Sequence, residues 1–399
     1  MAEATMTTVN ALLKEIYGPR IEDQLQSETV ALKRIERTSD GVVETAGGKY
    51  VDFPLRVKRN PAIAYRAEGE QLPAAGVGGY AEVHVPLLYG YGRVRLTGQV
   101  MELAEKNYQA FASAMDQEME GLKSDILKDS NRIVYGDGTG LMASVTADGA
   151  NTVTVDNIQF LEVGQRIDLR TRSNGAAIAV NRNITAINET TKVVTYDGAD
   201  VAATANEGIY REGNYAAGVK REPSGFGSII SATSVLHGLD PALEGTWKAI
   251  IRDAAGVPRA LSEGLMIETM DAVRVKGSRP TAIFTGLGVR RAYFNLLSQQ
   301  RRYTDTKEFA GGFQGLPFMY GTEVPVVEDV DCPPNRMYFI TENNIKIYRT
   351  REWHWEDKGG GILHWVTDYD SFDGFMKCYF EFGTSKRNSH ALLSDLIEG

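Results

Sequence analysis

The chain has 399 residues, 43% of them hydrophobic, enough to bury a substantial core and to suggest two or three domains. A formal charge of -9 gives no general attraction for nucleic acid or anionic lipid, which excludes strong DNA binding as the main activity. No run of 18 apolar residues occurs, and Met1 to Asn10 lacks the basic start and apolar core of a signal peptide, so a chain folded in cytosol, with no membrane, is expected.

Residues Asn10 to Arg37 hold two short amphipathic pieces, Leu12 to Tyr17 and Ile21 to Ile35, broken at Gly18-Pro19 where a helix cannot continue. With so few apolar residues the segment reads as an arm that is stable only when it lies on another surface. Strict alternation follows. Val51, Phe53, Leu55 and Val57 share one face of a strand, and Ala81, Val83, Val85 and Leu87 share one face of a second. Pro54 and Pro86 suit only edge strands, so these two predict a long hairpin standing apart from any large sheet. Its tip, Lys58 to Tyr80, is rich in glycine and proline and carries Arg59, Arg66, Glu68 and Glu70. A hairpin of this kind is marginal in water and persists when another surface receives it. A mixed-charge tip of this sort fits an intermolecular rim.

Thr97 to Val134 contains no proline and spaces Met101, Ala104, Tyr108, Phe111, Met115, Met119, Leu122 and Ile126 three or four apart. That pattern predicts one helix roughly 50 Å long, a spine too long for a single small core. Its other face alternates acids with Lys106, Lys123 and Lys128, and is either wet or against a neighbouring chain. Gly136-Asp137-Gly138-Thr139-Gly140 ends it through left-handed glycine and turn-forming pairs. Between Val145 and Tyr215 short β-branched runs predict a small antiparallel barrel or sandwich inserted in the host, with glycine-rich flanks at Gly213 to Gly227.

From Ser228 onward a helix at Leu261 to Val275, a buried strand at Thr281 to Thr285 and a helix at Val289 to Tyr303 predict an α+β layer. Strands are also expected at Glu323 to Val327, at Met337 to Thr341 and Ile345 to Tyr348 joined by a turn at Glu342-Asn343-Asn344, and at Lys377 to Phe382. Cys332 and Cys378 have no CxxC spacing and read as buried thiols.

The chemistry-bearing patterns are weak. Gly136-x-Gly138-x-Gly140 follows a helix and has the wrong last spacing for a dinucleotide loop. His354 and His364 lack HExxH spacing and a third ligand. No GxSxG elbow or Walker lysine occurs, and the aromatic group Trp353, Trp355, Trp365, Tyr369, Phe372 and Phe375 reads as core or interface. Arg290-Arg291 and Arg301-Arg302 read as a solvated or salt-bridged face. No catalytic, cofactor or metal residue is assigned, so no enzyme is expected.

The order of arm, protruding hairpin, long helix, glycine turn and α+β remainder resembles the HK97-fold major capsid proteins of tailed double-stranded DNA bacteriophages. The stretches that carry the resemblance are Arg66 to Gly69, Tyr91 to Val100, Asn131 to Gly140 and Arg387 to Ala391. It implies an α+β, HK97-like capsid fold: N-terminal arm 1–45, E-loop hairpin 46–96, spine helix and first part of the P domain 97–144, β-rich insertion domain 145–215, and remaining P domain with A domain 216–399.

The resemblance implies a coat protein that self-assembles as hexamers and pentamers into an icosahedral head, enclosing DNA without sequence-specific binding, in a virion assembled in host cytoplasm. Lys58, Arg59, Arg66, Glu68 and Glu70 of the E-loop, and Leu13, Tyr17, Ile21 and Leu25 of the arm, are the expected intersubunit contacts. The short arm implies a separate scaffolding protein, with a portal and a decoration protein as further partners. Lys49 and Lys58 lie on the stem, and the tip offers Arg59 and Arg66, whose guanidinium groups stay protonated, so covalent cross-linking through the tip is not expected. Two alternatives stand beside this reading: an encapsulin-like cargo shell, and a soluble enzyme carrying a β-domain insert.

Overall fold

The computed structural model describes residues 29–38, 41–44, 50–99, 108–300, 317–321, 323–357 and 362–399. Within them the expected hairpin forms between Tyr50–Lys58 and Gly79–Pro86, antiparallel, with Val51 opposite Val85 and Phe53 opposite Val83. It is a two-stranded sheet of its own. Its apolar face nonetheless packs on its own chain, because Val83, Val85 and Leu87 are buried in the central core and Val51, Phe53 and Leu55 pack against it. The hairpin thus stands apart from the large sheets, as expected, while its stem packs on its own subunit and its tip stands free.

Ten residues that the sequence assigns mostly to the approach of the spine, Leu88–Thr97, form a strand pairing Ser371–Thr384 from Tyr89 opposite Tyr379 to Thr97 opposite Ser371. Helical backbone is present at Gly98 and Gln99 and over Tyr108–Tyr135. The expected start at Thr97 is therefore strand, and Met101 and Ala104 lie outside the described residues. The long helix rises about 42 Å over its 28 residues. A Cβ at Gly92 would lie 2.5 Å from Ile126 and 3.3 Å from Leu122, so glycine there is what lets helix and strand meet. The helix ends at Tyr135. Left-handed backbone appears at Gly138 and Gly140, not at Gly136, and Asp137 Oδ1 accepts from the N–H and hydroxyl of Thr139 to fix the turn.

Six strands, Leu141–Gly149, Thr152–Val155, Arg166–Thr171, Ala177–Asn188, Val193–Tyr196 and Glu207–Arg211, close into a barrel with its own core. A second six-stranded sheet, ordered Ile250–Arg252, Ala391–Leu393, Met337–Ile340, Ala282–Thr285, Glu323–Glu328 and Pro317–Met319, is covered on both faces. Phe284, Tyr338 and Ile340 point into the central core. Ile283, Met337 and Phe339 point to a third core shared with helices Glu263–Val275 and Leu287–Gln300. Burial on both sides explains why these strands read as unbroken apolar runs instead of alternating ones.

The expected turn at Glu342–Asn344 exists as a single 3-10 turn, but it does not join a hairpin. Met337–Ile340 stays in that second sheet, while Ile345–Arg349 crosses to pair with Ser371–Thr384 and Val42–Glu44. Cys332 and Cys378 are buried free thiols, and burial pushes the Cys378 thiol up to about 12. Among the described residues no helix is long and apolar enough to cross a membrane.

Candidate functional site

The hairpin is a rigid stem that carries a bare tip. Phe53 stacks on Tyr348 with centroids 6.2 Å apart, the N–H of His84 donates to the carbonyl of His237 at 3.0 Å, and the hydroxyl of Thr246 to that of Val57 at 3.4 Å. These contacts hold the stem on the central core. Beyond Lys58 the chain leaves the ladder, and Ile63, Tyr65, Leu72 and Val77 are 81%, 98%, 82% and 85% exposed. Four large apolar side chains in one loop is far more than scattered surface hydrophobicity. Lys58, Arg59, Arg66, Glu68 and Glu70 are all exposed around them. Internal bonds shape the tip: Asn60 Nδ2 donates to the carbonyl of Gly76 at 2.7 Å, and Glu70 accepts from the Ala67 N–H across the turn at Gly69.

Of the expected arm contacts, Leu13, Tyr17, Ile21 and Leu25 lie outside the described residues. The base of the arm is described and firmly held. Helix Val30–Glu36 buries Ala31, Leu32 and Ile35 and gives its first free N–H groups to side chains, Ala31 N to Asp329 at 3.0 Å and Leu32 N to Asn131 at 3.1 Å. That satisfies donors a helix start leaves open. Asn131 in turn donates to Asp329 and Asp331, and Lys128 pairs with Asp331 at 2.7 Å. Burial raises the Asp329 carboxyl above its ordinary range. Gln159 of the barrel donates to the Val330 carbonyl at 2.9 Å, so arm, spine, barrel and the second sheet meet at one polar node. Sequence reading missed this node as a contact, although Asn131 opens one of the stretches that carry the resemblance.

Another such stretch resolves into a buried anchor. The Arg387 guanidinium, fully buried, donates to the carbonyls of Ser228, Ile229 and Ser234 and to the hydroxyl of Ser234 at 2.8 to 2.9 Å, with no carboxylate partner among the described residues. Desolvation lowers its pKa to about 10. The aromatic group divides: Trp353 packs edge-on against Phe380, whereas Trp365 and Tyr369 are mostly exposed on the sheet beside Leu88–Thr97. On that face Arg93 and Arg95 both pair with Asp373. Arg290 pairs with Glu328 at 2.5 Å, the salt-bridged state expected of that face, and Arg301-Arg302 lies outside the described residues.

Metal-ligating types converge at one described place, where Asp52, Glu82 and His84 bring donor atoms within 4.8 Å of one another on the outer face of the stem. All three are exposed, and the hydrogen bond from His84 Nδ1 to Asp52 at 2.7 Å favours a protonated imidazole, which competes with a metal. His354 and His364 do not join them. The glycine turn after the long helix leads into a barrel strand, not a helix, and so lacks the N-terminal donors of a phosphate loop.

A family model described as the SU10 major capsid protein matches residues 176–392, over half the chain. No curated protein matches it. Among solved structures, the chain is similar to that of the cyanophage A-1(L) capsid asymmetric unit, with a TM-score of 0.62 at 13% identity, over 98% of this chain and 99% of that one. The capsid of the native GTA particle gives 0.52 at 11% identity with the same coverage, and Mycobacterium phage Adephagia gives 0.50 at 10% over 98% of both chains. At such identities these likenesses bear on the fold.

Proposed function

This chain belongs to the SU10 major capsid protein family, and we propose that its hairpin tip is the part by which one coat subunit grips the next. The protein is a phage coat protein, a structural and non-enzymatic component of the virion whose copies associate into capsomers of an icosahedral shell. The cargo-shell and soluble-enzyme alternatives are not favoured by that family.

What carries the proposal is the contrast within the hairpin between a stem buried on its own subunit and a tip with Ile63, Tyr65, Leu72 and Val77 in water. In a closed shell every subunit borders others, and apolar side chains at the end of a fixed stem gain most by burial against a neighbour. Lys58, Arg59, Arg66, Glu68 and Glu70 then form the polar rim of that contact. Leu13, Tyr17, Ile21 and Leu25 of the arm lie under a neighbour, led there from the anchored helix at Val30. In domain terms, 1–45 is the arm, 46–96 the E-loop, 97–144 the spine with the start of the P domain, 145–215 the insertion, and 216–399 the remaining P and A domains. Hexameric and pentameric capsomers, a separate scaffolding protein, a portal, a decoration protein and assembly in host cytoplasm complete the proposal. DNA is held by confinement, since a charge of -9 offers it no adhesive wall.

The test is to replace residues 59–78 by a tight turn. The variant subunit is expected to stay folded, with the stem contacts intact, and to form no closed shells in electron micrographs. Normal particles from that variant would refute the interlock.

A further inference from the structure

A pocket of about 420 Å³ opens where the hairpin leaves the body, between residues 55–59, Thr246-Trp247 and the 385–388 turn. Five cations line it, Arg56, Lys58, Arg59, Lys386 and Arg387, and among the described residues no aspartate or glutamate does. In a chain with 52 acids against 43 Lys and Arg this is a concentrated reversal of sign.

The backbone is built to put the cations there. Arg56 is opposite Tyr80 and Lys58 opposite Gly79, so Val57 is an extra residue, a bulge that turns its own side chain into the core and re-aims its neighbours. A Cβ at Gly79 would stand 2.9 Å from that of Lys58, so glycine makes room for the lysine. Arg56, Lys58 and Arg59 have no ion-pair partner among the described residues, and Lys386 reaches only the carbonyl of Gly277. Arg387 spends its donors on carbonyls and a hydroxyl, which leaves its charge uncompensated beneath the pocket. Trp247 in the wall is buried, and its indole N–H has no hydrogen-bond partner among the described residues.

We propose that this pocket is a receptor for a carboxylate side chain of a second copy of the coat protein. A neighbour's aspartate or glutamate seats between Lys58 and Lys386 over the Arg387 charge, and so fixes the direction in which the hairpin leaves its subunit. Packaged DNA is the poorer fit, because a duplex needs a long basic stripe along its phosphates and this site is one small recess between hairpin and body. The proposal deepens the hairpin reading, since Lys58 and Arg59 belong to both, and rests on copies packing side by side in the shell.

The experiment uses particles formed from equal amounts of nitrogen-15-labelled and unlabelled full-length chain, coupled with a water-soluble carbodiimide that joins lysine amines directly to carboxylates. Peptides joining Lys58 or Lys386 to an acid, in mixed-isotope pairs, are expected from shells and not from unassembled subunits. Only same-isotope pairs, or none at either lysine, would overturn the proposal. So would protection of both lysines from acetylation by duplex DNA without any intercopy amide.

A second arm measures assembly of Lys58→Gln/Lys386→Gln. The concentration needed for shells is expected to rise about tenfold, with Lys58→Arg/Lys386→Arg near the parent and both variants melting like it. If the Gln pair assembles normally while removal of residues 59–78 abolishes shells, the pocket proposal fails and the tip reading stands. If neither change affects assembly, both fail.

Discussion

Arg132 near the end of the long helix and Glu222 on the return from the barrel form an ion pair at 2.7 Å with both side chains more than nine-tenths buried. Asp129 flanks Arg132 at 2.9 Å and also takes Arg211 of the barrel, so the helix holds both the barrel and the chain that leaves it. Asn214 donates to the same Glu222 carboxylate. Breaking a buried pair leaves an uncompensated charge, so Glu222→Ala is expected to cost about 3 kcal/mol in urea unfolding. Arg132→Met/Glu222→Leu should recover much of the loss. A single-variant loss under about 1 kcal/mol would mean that the pair is solvated in solution.

The glycine turn that ends the helix depends on this pair. Gly140 has a φ of +76°, and a Cβ there would lie 2.8 Å from Glu222 Oε1. Gly164 in the barrel has a φ of +89° with nothing within 4 Å. Gly164→Ala thus carries backbone strain alone, about 1–2 kcal/mol. Gly140→Ala adds displacement of the carboxylate and is expected to destabilise clearly more. Equal melting temperatures for the two variants would contradict that account.

Acid pH should weaken the subunit through two buried histidines. Burial lowers His237 to about 4 and His390 to about 3, both below the ordinary 6.5. The folded state keeps them neutral while the unfolded chain binds protons, so their contribution is complete above pH 6.5 and is lost as pH falls toward 4 and 3. Glu381 runs the other way. Burial raises it to about 8, so stability declines as pH rises from the ordinary 4.5 to 8. Glu381→Gln, which keeps an acceptor for the N–H groups of Ser224 and Phe382, is expected to flatten the melting curve between pH 6 and 8 and leave the acid limb in place. An unchanged slope between pH 6 and 8 would show that the carboxylate is ionised in the fold.

Much of this architecture is legible in the residues, and the illegible parts share a physical cause. Alternation at Val51 to Val57 and Ala81 to Leu87 gives both the hairpin and the face it buries, because a two-stranded sheet keeps a period of two. The barrel's four middle strands in chain order are equally readable, but Leu141–Gly149 and Glu207–Arg211, which pair with each other across more than sixty positions, are not. The Glu342–Asn344 turn was readable as a turn and not as a crossing between sheets, because the choice of partner is made by residues 371–393. Arg132 with Glu222 and Asn131 with Asp329 are contacts across 90 and 198 positions. No local spacing announces them. The tip, by contrast, is exposed for a reason the sequence states openly: glycine and proline interrupt every pairing pattern between Lys58 and Gly79.

The most direct measurement is a cryo-electron microscopy map of particles formed by the full-length chain, with residues 59–78 traced. The account predicts that Ile63, Tyr65, Leu72 and Val77 leave their own subunit and lie buried against an adjacent copy. A map in which that loop folds back onto the body that bears it, with adjacent copies meeting elsewhere, would contradict it.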